Sequence, residues 1–323
     1  MAAPYSPVTA RYPGVVRRAA PHPDLAMLLV CLIWGINFSM LKFGMQTLSP
    51  FTLTAARYLI ATAVLWLVVR WLEPGVQVER RVAWRLMGLG VLGNTLYQAG
   101  FAVGLTMTTA SNSSLLIAST PLVTALVGAG LGLEKLTRPV VVAIGLGTAG
   151  VVLIVLGSHG TDFSMASMRG DALTIFAVCC WAFFTHGVRH IGAADVSPLQ
   201  STLLTTVGGT PGLVLLGLPG MLAQDWTAVS LPTWGALLYA ALLSIVLCYM
   251  LWTRSVRVLG ANRTALWGLT TPVFALTAAA LMLGETITAV QVTGAVLIMG
   301  SVAVNLVTRR GKAAAIEPVE EGV

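Results

Sequence analysis

Charge is what this chain has least of. Asp, Glu, Lys and Arg make up 10% of its 323 residues, where a soluble domain carries roughly 25%. So few charges cannot coat a globule of this size. With 56% hydrophobic residues and a mean hydropathy of +0.84, most of the surface must face lipid. Acidic residues are scarcer still. All twelve (Asp24, Glu73, Glu79, Glu134, Asp162, Asp171, Asp195, Asp225, Glu285, Glu317, Glu320, Glu321) lie in tails, loops or the ends of apolar runs. A carboxylate at the membrane midplane is what proton-coupled carriers and organic-cation pumps use, and its absence argues against both. Of the four histidines, only His186 and His190 fall within an apolar run, at the end of the sixth. They lack a third metal ligand, and they are expected in or near the membrane interface. No HExxH, GxSxG or GxxxxGK[ST] phosphate-binding loop occurs, which argues against a membrane-embedded enzyme or an ATP-driven pump and implies no cofactor. The four cysteines (Cys31, Cys179, Cys180, Cys248) sit inside apolar runs without disulfide or metal spacing and read as small packing residues.

What is abundant is the helix-length apolar run. The first, from Leu25 to about Met45, has no small-residue cleavage site after it and is not a secretory signal. Ten runs of about 20 residues, the length a ~30 Å hydrocarbon core requires, fall near 24–46, 50–72, 84–106, 110–133, 138–157, 171–190, 197–218, 232–255, 261–283 and 287–308. The net charge of +7 and pI near 9.6 could suggest nucleic acid, but the distribution of the basic residues argues otherwise. Sorting the loops alternately puts 16 of the 19 basic residues on one side. Arg169 alone lies opposite, and Lys42 and Arg57 lie within spans. The positive-inside rule then places both termini in the cytoplasm, as expected for a multi-pass protein of a bacterial cytoplasmic membrane. The bilayer is the partner and nucleic acid is not. Within the spans Lys42 and Arg57 are expected to snorkel outward, the alternative being that they meet a carboxylate on its way out.

The chain is also a duplication. Ala110–Pro121–Glu134 returns as Ala261–Pro272–Glu285 at a constant shift of 151 residues. Trp34 pairs with Trp181, Ser49-Pro50 with Ser197-Pro198, and Trp84 with Trp234, at shifts of 147, 148 and 150. The expected organisation is a disordered cytoplasmic tail over 1–23, a first five-helix repeat over 24–157 and a linker over 158–170. A second repeat over 171–308 and a cytoplasmic tail over 309–323 follow. Five spans per repeat is an odd number, so the second half enters the membrane from the other side. Inverted repeats with a substrate site between them are an architecture of secondary transporters.

The stretch LIWGINFSMLKFGMQTLSPFTLTAARYLIA resembles the opening of the drug/metabolite transporter superfamily, EamA type. The resemblance rests on Trp-Gly, a lysine late in span 1, Ser-Pro, and Ala-Arg-Tyr within span 2. The repeated alanine–proline–glutamate pattern extends it over about 24–308. It implies an all-α membrane fold of ten helices in two inverted halves, a central cavity and export of small metabolites. The YddG-type aromatic amino-acid exporters are the nearest group. Span 2 departs from the duplication, because Thr205 stands where Arg57 has its counterpart.

Polar and aromatic side chains inside the spans are the candidate substrate contacts, since they are costly to leave facing lipid. These are Trp34 and Asn37 (with Phe38 on the same face), Asn94, Tyr97, Gln98, Ser119, Trp181, Thr185, Ser244 (with Tyr249), Trp267 and Thr271. Asn112, Ser113 and Ser114 open span 4. The competing roles are interhelical bonding for Asn94 and Gln98, and bonding to their own helix for the Ser and Thr residues. Spans 5 and 10, nearly all aliphatic and glycine, read as scaffold. Trp71, Trp84, Trp226 and Trp234 at span ends read as interfacial anchors. Pro121 and Pro272 fall mid-span, and as hinges would bend spans 4 and 9. Gly208, Gly209, Pro211 and Gly212 are expected to break span 7. The expected function is facilitative export of small neutral or zwitterionic metabolites, foremost amino acids with apolar or aromatic side chains, by a monomer that alternates access to a central cavity. A proton-coupled efflux antiporter is the alternative, and a membrane scaffold or receptor the alternative outside transport.

Overall fold

The computed structural model describes residues 22–107, 116–117, 119–133, 137–157, 165–191, 196–283 and 288–314. Asn112, Ser113, Ser114, Glu134, Glu285 and residues 1–21 and 315–323 lie outside the described residues, as does the side chain of Lys42; residues 309–314, expected in the tail, continue the last helix. The described residues are helical throughout, with short turns between. Helix α1 spans Pro23–Gly44 and α2 Pro50–Leu72. Helix α3 joins Arg80–Gly90 to Tyr97–Met107 through a π-helical stretch, Val91–Leu96. Then come α4 (Thr120–Gly130), α5 (Arg138–Gly157), α6 (Met165–His190) and α7 (Pro198–Ala223). Helix α8 joins Leu231–Leu238 to Cys248–Leu259 through a second π-helical stretch, Tyr239–Leu247. Helix α9 comes in two pieces, Ala261–Gly268 and Thr271–Leu283, and α10 is Ala289–Ala314.

Among the described residues, five helical stretches are long and apolar enough to cross a membrane: Pro23–Leu41, Pro50–Leu72, Ala172–His190, Pro198–Ala223 and Leu231–Leu259. Shorter apolar helices are Thr120–Gly130, Arg138–Gly150 and Ala289–Ser301.

Local chemistry sets where these helices begin. The Ser-Pro pairs at 49–50 and 197–198 are helix starts, with the serine as N-cap and the proline, which has no N–H to lose, in the first turn. Ser49 Oγ accepts from Thr52 N at 3.2 Å and Ser197 Oγ from Gln200 N at 3.0 Å. Between α8 and α9 the chain turns on one residue, Gly260, at φ 92°, a conformation only glycine adopts without strain.

The helices pack across the two halves. α1 lies on α8 and α9, α6 on α3 and α4, α2 on α7 and α8, α3 on α7, α4 on α9, and α5 on α10. Exchanging α1–α5 with α6–α10 leaves this set of pairings unchanged, so the fold carries the duplication into its contacts. Small residues allow the close approaches. A Cβ on Gly90 would sit 1.9 Å from the Thr205 carbonyl oxygen, and one on Gly150 would sit 2.5 Å from the Gly294 carbonyl oxygen.

Two expectations about helix breaks are corrected. Helix α7 runs unbroken through Gly208, Gly209, Pro211 and Gly212. Its glycines press on α3 instead: Cβ atoms on Gly208, Gly209 and Gly212 would collide with Met87, Asn94 and Thr95. Pro211 leaves the Val207 carbonyl without its helical donor. Side chains of α3 bond to α7 carbonyls on either side, Asn94 Nδ2 to Thr205 O at 2.9 Å and Thr95 Oγ1 to Gly209 O at 2.7 Å. Neighbouring helices can support a proline in this way. Pro121 and Pro272 do not bend continuous helices either. Each stands in the first turn of a helical piece, after tight turns closed by Ser119 N to Leu116 O (3.0 Å) and Thr270 N to Trp267 O (2.9 Å). The helix stops and restarts there.

Candidate functional site

The seam between the halves holds a polar chain. Arg57 Nη2 donates to Gln98 Oε1 at 2.9 Å, and Gln98 Nε2 to the Tyr58 hydroxyl at 3.3 Å. That hydroxyl lies 3.2 Å from Asn94 Oδ1 and 3.0 Å from the Tyr249 hydroxyl. Asn94 is in turn anchored to the α7 backbone at Thr205. All five side chains are buried. The chain thus ties α2, α3, α7 and α8 together. Asn94 has both ends of its amide committed inside the protein and acts here as interhelical glue. Gln98 is bonded too, yet it also faces a cavity.

Beside this chain lies an aromatic group. Trp181 is the hub, with ring centroids 4.9 Å from Trp252, 5.0 Å from Tyr97, 5.9 Å from Tyr249 and 6.2 Å from Trp34. The paired tryptophans of the duplication therefore meet edge to face. Trp34 Nε1 donates to the Ser244 carbonyl at 3.0 Å. Ser244 lies in the π-helical stretch of α8, and Asn94 in that of α3. A π register widens the turn and loosens the i→i−4 ladder. That lets a carbonyl take a donor from another helix, and it turns Asn94 into the seam.

A cavity of about 210 Å³ opens next to the polar chain, lined by Leu41, Met45, Pro50, Thr54, Arg57, Gln98, Phe101 and Ala102. Arg57 corrects the sequence reading. It does not snorkel, for it is 4% exposed. Its guanidinium turns inward to Gln98 and lies 5.7 Å from the Tyr58 ring centroid. Tyr58 is absent from the sequence candidates, Tyr249 stands among them only beside Ser244, and Arg57 enters only through the alternative of meeting an outgoing carboxylate, although its unmatched place in an apolar run was a usable signal.

The remaining candidates scatter. Asn37 is buried at 8% exposure, and its Oδ1 has no hydrogen-bond partner. Phe38 beside it is exposed. Ser119 Oγ bonds to Leu116 O and Thr185 Oγ1 to Trp181 O, each within its own chain segment. Thr271 opens the second piece of α9. Trp267 packs in the same apolar core as Trp252, but its indole N–H turns away to the α1 N-terminus, 2.9 Å from Asp24 Oδ1. There Arg263 Nη2 reaches both Asp24 oxygens, at 2.7 and 2.6 Å, locking α1 to α9. His186 is buried, with Nε2 2.8 Å from the Thr124 carbonyl of α4 and Nδ1 unpartnered. At the end of α2, Ser197 Oγ donates to Glu73 Oε2 at 2.8 Å. Partial burial pushes the Glu73 carboxyl above its usual range, with Ser197 and the charge of Arg257 pulling the other way. Trp71 and Trp84 are exposed at helix ends, whereas Trp226 and Trp234 pack on each other.

Comparison with known proteins places the chain. A Salmonella typhimurium protein named "Probable amino-acid metabolite efflux pump" is 29% identical over 290 residues, covering 86% of this chain and 93% of that protein. Its Escherichia coli counterpart of the same name is 27% identical, with the same coverage of each. The Bacillus subtilis "Uncharacterized transporter YyaM" is 28% identical over 86% of this chain and 92% of its own. A crystal structure that is 20% identical superposes with a TM-score of 0.73 over 89% of this chain and 98% of that one, which shows a shared fold. The sequence profile of the EamA-like transporter family matches twice, at 23–156 and 168–307. The chain is a multi-pass membrane protein and belongs to the EamA-like transporter family.

Proposed function

We propose that this transporter exports small neutral or zwitterionic metabolites, foremost amino acids with apolar or aromatic side chains, by facilitated movement down their own gradient. The observation that carries the reading is the buried polar chain at the seam of the two halves, flanked by Trp34, Tyr97 and Trp181 and set beside a cavity lined from the first half. Polar groups at such a seam orient a ligand, and aromatic faces take its apolar part. The efflux-pump names of its relatives agree with this reading.

In this proposal ten spans form two inverted halves with both termini in the cytoplasm, and a monomer suffices in a bacterial cytoplasmic membrane. No cofactor takes part. α1 then begins at the cytoplasmic face, so the Asp24–Arg263–Trp267 lock closes the inner end. Leu41, Met45 and Pro50 put the cavity in the outer half. The helix restarts at Pro121 and Pro272 are where α4 and α9 rock between inward and outward access.

One observation favours proton coupling instead: the buried His186 with its unpartnered Nδ1. Uptake of labelled tryptophan, phenylalanine and threonine into proteoliposomes, with and without an imposed pH gradient, separates the readings. Movement driven by the amino-acid gradient alone supports the facilitative exporter. Movement only with the pH gradient transfers the proposal to a proton antiporter and to His186. No movement of any of the three removes the amino-acid assignment.

A further inference from the structure

Among the described side chains, Arg57 is a cation without an anion. Its side chain is buried, its polar partners are the neutral Gln98 amide and the Tyr58 ring, and its Nε has no partner. No carboxylate pairs with it among the described side chains: Asp24, Glu73, Glu79 and Asp225 stand at helix ends or in loops, and the side chain of Asp171 in α6 lies outside them. Arginine cannot shed its proton to relieve burial, and the penalty of an unpaired buried ion is of order several kcal/mol. The fork is also held still. Gln98 Oε1 fixes Nη2, and Gln98 is itself fixed through Tyr58, Asn94 and the α7 backbone. A fixed guanidinium on a cavity wall is suited to a carboxylate, whose two oxygens match its donors.

A second, independent observation lies on α1. Asn37, Leu41 and Met45 follow at i, i+4 and i+8, so they share one face of the helix. Leu41 and Met45 line the cavity, and Asn37 sits one turn deeper with a buried, unpartnered carbonyl oxygen. Such an acceptor is suited to an ammonium group. Apart from Gln98 and Thr54, the rest of the lining (Leu41, Met45, Pro50, Phe101, Ala102) is apolar. At about 210 Å³ the space is smaller than the ~300–1,000 Å³ of sites for drug-sized ligands.

We propose that this cavity is a zwitterion site: Arg57 binds the substrate carboxylate, Asn37 accepts from its ammonium, and the apolar wall takes a small apolar side chain. The proposal deepens the transporter reading and rests on it for the identity of the cargo. It requires a carboxylate on every good substrate. Amides and decarboxylated amines of the same skeleton are excluded.

Two measurements test it. In the first, purified protein is heated with sodium isovalerate or with isovaleramide. The acid is expected to raise the Tm of the wild type and the amide is not; Arg57→Gln should lose the acid response and Arg57→Lys retain part of it. A wild type that responds equally to acid and amide, or to neither, overturns the assignment of Arg57. In the second, labelled leucine is followed in proteoliposomes against competing leucinamide, isoamylamine and 4-methylpentanoate. Leucinamide and isoamylamine should compete at least tenfold more weakly than leucine. Asn37→Ala should weaken competition by leucine several-fold and leave that by 4-methylpentanoate unchanged. Arg57→Gln moving leucine with wild-type KM would sink the proposal. If the wild type moves no amino acid yet its Tm responds to isovalerate alone, the amino-acid reading falls and the carboxylate site stands.

Discussion

Two buried arginines in this molecule are treated in opposite ways. Arg263, near the start of α9, holds both oxygens of Asp24, and the same carboxylate takes the indole N–H of Trp267. Arg57, in α2, bonds to the oxygen of a neutral amide and stands on a cavity wall. In a low-dielectric setting a charge needs a counter-ion or a strong set of hydrogen bonds. The first arginine has its counter-ion within the chain and serves as a lock between helices. The second is left with its charge uncancelled beside an open space. The difference separates a structural ion pair from a group poised to meet a ligand.

The comparison can be broken most sharply by giving Arg57 what Arg263 already has. Gln98→Glu places a carboxylate where Gln98 Oε1 lies 2.9 Å from Arg57 Nη2. Amino-acid counterflow is expected to fall at least about 100-fold, the effect of some 2.8 kcal/mol, while the Tm holds or rises. Unchanged counterflow would mean that the charge of Arg57 has no part in transport.

The converse change removes the counter-ion from the other arginine. Breaking a buried pair costs about 3–5 kcal/mol. Asp24 is 19% exposed as a side chain, so for Asp24→Asn a smaller loss of about 1–3 kcal/mol is expected, read as a lower Tm in detergent. A Tm equal to wild type would show that the lock contributes nothing to stability.

The indole bond of Trp34 is the next effect in size. Trp34→Phe keeps an aromatic ring at this position but removes the donor to the Ser244 carbonyl. A single interhelical bond in a membrane protein averages about 0.6 kcal/mol, with a maximum near 1.7, so a small Tm decrease is expected. A drop of ten degrees or more would assign the π-helical stretch a larger stabilising role.

The smallest effect is a pH dependence at Glu73. Burial raises its folded-state pKa above the ordinary 4.5. A carboxyl shifted upward contributes stability below the unfolded value and loses that contribution as pH rises through the folded one. Glu73→Gln should therefore flatten the decline in stability that the wild type shows as pH rises from below 4.5 through the raised value. Parallel pH profiles for the two proteins would rule this out.

Much of the site escaped the linear sequence for a physical reason. A lone arginine in an apolar run is compatible with snorkelling or with burial, and which applies depends on what the neighbouring helices offer. Gln98 and Tyr58 offer a bonded socket, and only packing brings them there. The glycine run of α7 read as a break because glycine weakens an isolated helix. Packed against α3, the same absence of Cβ is what allows contact at Gly90 and Met87. The two π-helical stretches left no legible mark, since a widened turn is a compromise between one helix and its neighbours. Trp34 and Trp181 were legible, because duplication marks paired positions without reference to structure.

The sequence by itself determined that the chain lives in lipid, that it is a doubled unit, and where α2 and α7 begin. These properties follow from composition, periodic recurrence and capping chemistry, all of which act over short distances along the chain. Tertiary structure alone decided which polar groups are spent and which remain. Asn94, Ser119 and Thr185 are satisfied by backbone carbonyls, whereas Arg57 Nε and Asn37 Oδ1 are not. Ser119 and Thr185 find their acceptors within their own segments, but Asn94 bonds to Thr205 on another helix, and such a bond is made or missed within half an ångström.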